Sequence, residues 1–207
     1  ALAPMLGVLA AFGVAGLVVL GIGESPAAAT AILIRGSVGT LEGLAFTLYY
    51  ATDFIFTGLA VAVAFHAGLF NIGGEGQATL AGLGAALVAL LLPGLPGFLL
   101  APLAILAAAA FGGAYGFVPG WLQATRGSHV VITTIMFNFL AAILIVYLLV
   151  GAMGKPGSMA PETPTFVEGA RLMPMHALLG AFGVPFPKTP LNIAFLLALA
   201  ASLAVWL

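Results

Sequence analysis

The chain has 207 residues, of which 63% are hydrophobic and only 5% charged, with a formal net charge of -1 and no cysteine. Soluble domains carry about 25% charged residues, so this composition excludes an ordinary soluble domain and points to an all-α, polytopic transmembrane helix bundle. The charge balance gives no footing for nucleic acid. The lack of cysteine rules out disulfides, thiol catalysis and cysteine–metal sites.

Taken in chain order, five apolar runs approach the roughly 20 residues a spanning helix needs: 2–23, 44–65, 78–92, 98–122 and 130–152, with a sixth starting near Leu191. The first lacks a basic flank and a small-residue cleavage site, so it reads as a retained membrane helix rather than a signal peptide. Residues 24–43 mix Glu24, Pro26, Arg35 and Glu42 with the apolar Ala31–Ile34, which suggests a helix lying at the interface. The third run is short and abuts a polar break near 66–78, the pattern of a broken or re-entrant element with a half-helix. Pro93-Gly94-Leu95-Pro96-Gly97 reads as a tight turn, and residues 123–129 as a short polar loop. Residues 153–190 hold seven of the prolines and form the only long loop, with a short amphipathic piece expected near 171–183. The sixth run is still open at Leu207, so the chain reads as a single transmembrane domain and as the N-terminal part of something longer.

Chemistry concentrates in Asn71-Ile72-Gly73-Gly74-Glu75-Gly76-Gln77. Polar groups inside lipid must be paired or face water, so such a break is tolerated where it packs on protein or lines a pathway. In the functional reading Gly73, Gly74 and Gly76 let the backbone turn, while Asn71, Glu75 and Gln77 offer donors and acceptors to a polar solute. In the structural reading the same side chains cap helix ends. The glycines are not a phosphate-binding P-loop, because Lys and Ser/Thr do not follow them.

The fifth run opens with Thr133, Thr134 and Asn138; Thr134 and Asn138 are four apart and share a face. They suit either a neutral solute or a neighbouring helix. Tyr49, Asp53 and Thr57 form a polar stripe on the second run, which makes Asp53 a candidate intramembrane acid. Tyr115 and Trp121 fit an aromatic belt. The histidines 66, 129 and 176 are too far apart for a local metal motif, and neither a metal site nor a catalytic residue is expected.

Gly68 to Gln77 resembles the signature of bacterial ABC importer permeases for nucleosides and simple sugars, relatives of the branched-chain amino acid and ribose permeases. Gly127 followed by Val131–Met136 and Asn138 is similar to a second family segment, and Pro161-Glu162-Thr163-Pro164 to a third, weaker one. Family members often carry proline where Asp53 stands and arginine where His66 stands. The resemblance implies a multi-pass protein of the bacterial inner membrane with a cytoplasmic N-terminus, although Lys and Arg counting alone favours the reverse. It also implies a second permease subunit, a cytoplasmic ABC ATPase and an extracytoplasmic solute-binding protein as partners. ATP and magnesium would act on the ATPase, with no cofactor on this chain. The ATPase-docking segment and remaining helices would lie beyond Leu207. The rival readings are a proton-coupled secondary transporter using Asp53 or Glu75, and a structural half-permease that works only with a partner chain.

Overall fold

A computed structural model describes residues 2–207. Eight α-helices follow in order: α1 Leu2–Gly21, α2 Pro26–Ser37, α3 Leu41–His66, α4 Gly74–Leu91, α5 Gly97–Arg126, α6 Val130–Val150, α7 Met175–Ala181 and α8 Ala194–Trp206, with a 3-10 turn at Glu168–Ala170. Five of these are long and apolar enough to cross a membrane: Ala3–Gly21, α3, α4, α5 and α6. The sixth expected segment, α8, is an apolar helix of 13 residues. No element among the described residues is a strand; one isolated antiparallel bridge joins Pro174 and Asn192.

Two compact units emerge. The first comprises residues up to Ala51 together with Pro174–Asn192; the second comprises Thr52–Met173 and Ile193–Leu207. In the first, Ser25 caps α2 by accepting from the Ala28 N–H, with Pro26 at a position where a missing N–H leaves nothing unpaired. The α2 helix buries no residue, as an interfacial helix would. The N–H of Met175 donates to the Leu191 carbonyl at 2.8 Å, closing the base of the segment that holds α7.

The second unit contains the tightest packing, where α4 lies against both α5 and α6. Small residues set that distance. A Cβ on Gly84 would stand 2.6 Å from the Ala107 carbonyl oxygen and one on Gly112 3.1 Å from the Gln77 carbonyl oxygen, so neither position admits a side chain without a shift of backbone. Leu80, Leu83 and Ala141 form the core of this group, with Tyr115, Ile145 and Leu148 packed around them. Pro119 and Leu100 of α5 are fully buried. The 3-10 turn of the long loop rests on the start of α5, Gly169 against Gly97.

Two sequence expectations change here: the loop read at 123–129 narrows to 127–129 because α5 runs on to Arg126, and the third run is longer than a half-helix. The third apolar run, 78–92, suggests a half-helix, but α4 starts at Gly74 and has 18 residues, about 27 Å at 1.5 Å per residue. It is a candidate span in its own right. The polar residues 74–77 are helical and not part of the turn. The break itself is residues 67–73.

Candidate functional site: an uncharged polar seam between α4 and α6

The break is stitched to α6 by backbone groups that its own helices cannot pair. The N–H of Ile72 donates to Thr134 Oγ1 at 3.3 Å, and the N–H of Gly76 donates to Asn138 Oδ1 at 2.9 Å. The amide nitrogen of Asn138 donates back to the Ile72 carbonyl at 3.0 Å. Two main-chain groups of the break and one from the first turn of α4 are thus satisfied by two side chains one turn apart on α6. In a low-dielectric surround each such group, left alone, costs several kcal/mol. Thr134 is almost wholly buried, and its hydroxyl donates to the Val130 carbonyl at 2.8 Å while accepting from Ile72.

Within the break, Asn71 Oδ1 accepts from the Gly73 N–H at 2.8 Å, a side-chain turn that mimics a backbone one. Asn71 and Gln77 also exchange two amide bonds, at 3.2 and 3.3 Å, which tie the break to the first turn of α4. The whole set is neutral, so it is paired without burying a charge.

The glycines contribute by closeness rather than by a left-handed turn. Gly73 has φ -79, and a Cβ there would meet Asn71 Oδ1 at 3.0 Å and Thr134 Cβ at 3.1 Å. A Cβ on Gly76 would meet the Asn138 Cα and Tyr115 Cε1, both at 3.2 Å. Gly74 has open space and no such constraint. The left-handed residue is Gly68, φ +76, at the end of α3.

The structure therefore brings together Asn71, Gln77, Thr134 and Asn138, with Gly73 and Gly76 at the contact. It leaves out three residues singled out by sequence. Glu75 is exposed, and among the described residues its carboxylate has no hydrogen-bond partner; it sits in the first turn of α4, where a negative charge suits the helix dipole. Thr133 turns its hydroxyl back to the His129 carbonyl of its own helix at 3.1 Å. Asp53 is exposed on α3, and its carbonyl accepts from the Thr57 hydroxyl.

Two residues were missed. Tyr115, expected in an aromatic belt, lies in the interior of α5; its hydroxyl donates to the Phe137 carbonyl at 2.7 Å, and its ring packs on Phe137 with centroids 5.0 Å apart. It braces α5 on α6 directly behind Gly76. Gln123 accepts from the Val130 N–H at 3.0 Å and so caps α6, where the side chain of the N-cap residue His129 makes no such bond. Neither has a local sequence signal, since both partners are backbone atoms of another element.

Beside the seam, a groove of about 550 Å³ opens between α3 and the α4–α5 pair. Thr57 and Ala60 stand on one side; Gln77, Ala78, Ala109 and Gly112 stand on the other. Its size falls within the roughly 300–1,000 Å³ typical of small-molecule sites.

Membrane-length helices packed around an uncharged polar seam define a multi-pass membrane protein. The chain belongs to the branched-chain amino acid transport system / permease component family, whose model matches residues 43–207, a stretch that contains the whole seam. It is 34% identical over 204 residues to a glucose ABC transporter permease protein of Haloferax volcanii, covering 98% of this chain and 53% of the relative. It is 38% identical over 148 residues to a guanosine ABC transporter permease protein of Bacillus subtilis, covering 72% of this chain and 42% of the relative. A nucleoside ABC transporter permease protein of Lactococcus lactis is 34% identical over 139 residues, 67% of this chain and 38% of its own. The chain spans about half the length of these curated relatives or less. No solved structure matches it.

Proposed function

We propose that this chain forms part of the membrane-spanning permease of an ATP-driven importer for nucleosides or related simple sugars, in the inner membrane of a bacterium. The observation that carries the reading is the seam: a family-matched polar break held inside an apolar bundle by neutral side chains alone. A neutral polar solute needs a path whose walls offer hydrogen bonds without a fixed charge to trap it. Asn71, Gln77, Thr134 and Asn138 keep the walls of that path in register, and Gln77 also reaches the groove. Glu75, exposed beside the seam, is the one carboxylate within reach of a hydroxyl-bearing solute from this segment.

No covalent chemistry is assigned to the chain. Hydrolysis of ATP with magnesium belongs to cytoplasmic ATPase subunits, whose unequal affinity for two permease states drives the change between outward- and inward-open forms. A second permease subunit and an extracytoplasmic solute-binding protein complete the assembly. Residues 24–43 and 153–190 offer the outer surface for docking.

Reconstituted with the ATPase and solute-binding subunits of such an importer, the full-length protein is expected to import radiolabelled nucleoside or sugar only when ATP is supplied. Uptake that survives ATP depletion and collapses with an uncoupler would replace this reading with proton coupling through Asp53 or Glu75.

A further inference from the structure

The seam makes one part of the second unit rigid and leaves its neighbour loosely attached. On one side, α4, α5 and α6 are locked by the hydrogen bonds of Thr134, Asn138 and Tyr115 and by the glycine contacts at Gly76, Gly84 and Gly112. On the other, α3 is absent from the close backbone pairings that join α4, α5 and α6 to one another. The groove of about 550 Å³ lies between them.

The link between these two parts narrows to one residue. The end of α3 is finished by a full Schellman cap: the Leu69 N–H donates to the Ala64 carbonyl at 2.9 Å and the Gly68 N–H to the Phe65 carbonyl at 3.0 Å, with Gly68 left-handed. From Asn71 onward the chain is tied to α4 and α6. Phe70 stands between, 53% exposed, and neither of its backbone groups is hydrogen-bonded among the described residues. A capped helix end, one untied residue and a stitched segment are the parts of a hinge, since the few φ/ψ angles that must change are the ones nothing holds.

We propose that residues 52–66 of α3 swing about Phe70 against a rigid α4–α5–α6 block, opening and closing the groove lined by Thr57 and Gln77. The amide of Gln77 and the hydroxyl of Thr57 then face a neutral, hydroxyl-bearing solute in the open form and each other's wall in the closed one. The solute's identity rests on the proposed function; the motion does not.

The chain has no cysteine, so pairs can be introduced without background. One variant carries Ala60→Cys with Ala109→Cys, which spans the groove from α3 to α5; a second carries Ala78→Cys with Ala109→Cys, which joins α4 to α5 within the block. Both are made in the reconstituted importer and bridged with a short bifunctional methanethiosulfonate that a reductant removes. The groove-spanning bridge is expected to abolish uptake until it is reduced; the block pair, which also lines the groove, serves as the control for the distance measurement. Spin labels on the same pairs in bilayers should give a broad or two-peaked distance for 60–109 and one narrow distance for 78–109, whether or not transport is measured. Equal, narrow distances for both pairs, or a groove bridge without effect on a working importer, would overturn the hinge. Failure of the unbridged protein to import either solute counts instead against the proposed function, while the spin-label distances still decide the motion.

Discussion

Two of the polar stretches that interrupt the apolar sequence of the second unit are held in opposite ways. Residues 71–77 are uncharged where they pack, and their partners lie more than 60 positions away on α6. Residues 155–162 hold themselves: Lys155 pairs with Glu162 at 3.4 Å, the Ser158 hydroxyl donates to the same carboxylate at 2.8 Å, and the Lys155 N–H donates to the Glu162 carbonyl. Both ends of that ion pair are about half exposed. The contrast follows from the medium. Beside water a charge pair needs no further help and contributes little. Between membrane helices a charge is expensive, so neutral side chains pair the stray backbone groups instead.

The comparison breaks most readily at Asn138. Replacing it by Leu removes the partners of the buried Gly76 N–H, left unpaired at about 1–3 kcal/mol, and of the exposed Ile72 carbonyl, where only the net bond of about 0.5–1.5 kcal/mol is lost. Asn138→Leu should therefore lower stability by roughly 1.5–4.5 kcal/mol, read as a shift in unfolding midpoint in detergent micelles; no shift would mean the seam does not hold the bundle. Next comes Gly76→Ala, whose new methyl meets Asn138 and Tyr115 and should cost about 1–3 kcal/mol by overpacking. Gly74→Ala, two positions away with open space, should stay within about 0.5 kcal/mol in the same unfolding series. Equal effects at the two glycines would undo the packing argument. Tyr115→Phe keeps the ring and removes only the hydroxyl, so a loss of about 1 kcal/mol is expected.

The smallest effect belongs to the other stretch. The Ser158 hydroxyl, and after it the Lys155 ammonium, hold the Glu162 carboxyl below its usual range. A lowered carboxylate contributes order above its ordinary value of about 4.3 and loses that contribution as pH falls through the lowered one. Limited proteolysis should then cut residues 155–162 faster in acid than at neutral pH, and faster in high salt than in low, with 71–77 unchanged. Cleavage of 155–162 that ignores both pH and salt would show that the ion pair does not order the loop.

Much of this was legible in the sequence, for identifiable reasons. Helix placement followed from apolar run length, and the importance of 71–77, Thr134 and Asn138 followed from polar residues in apolar surroundings. The start of α4 did not, because Gly74-Glu75-Gly76-Gln77 looks like loop until Asn138 and Asn71 are seen to pair it. Thr133 and Thr134 are indistinguishable as letters, and only the approach of Ile72 selects Thr134. The role of Tyr115 depends on a backbone carbonyl of α6 that no motif records. Glu75 drew notice as the carboxylate of the signature, yet the helix turns it away from the seam.

The central claim is that the break is sealed against α6 within the bilayer, and amide hydrogen exchange of the full chain in lipid nanodiscs tests it directly. The account predicts that the amides of Ile72, Gly73 and Gly76 exchange as slowly as those in the middle of α6, and far more slowly than those of residues 155–162. Exchange of all three at the rate of residues 155–162 would contradict it.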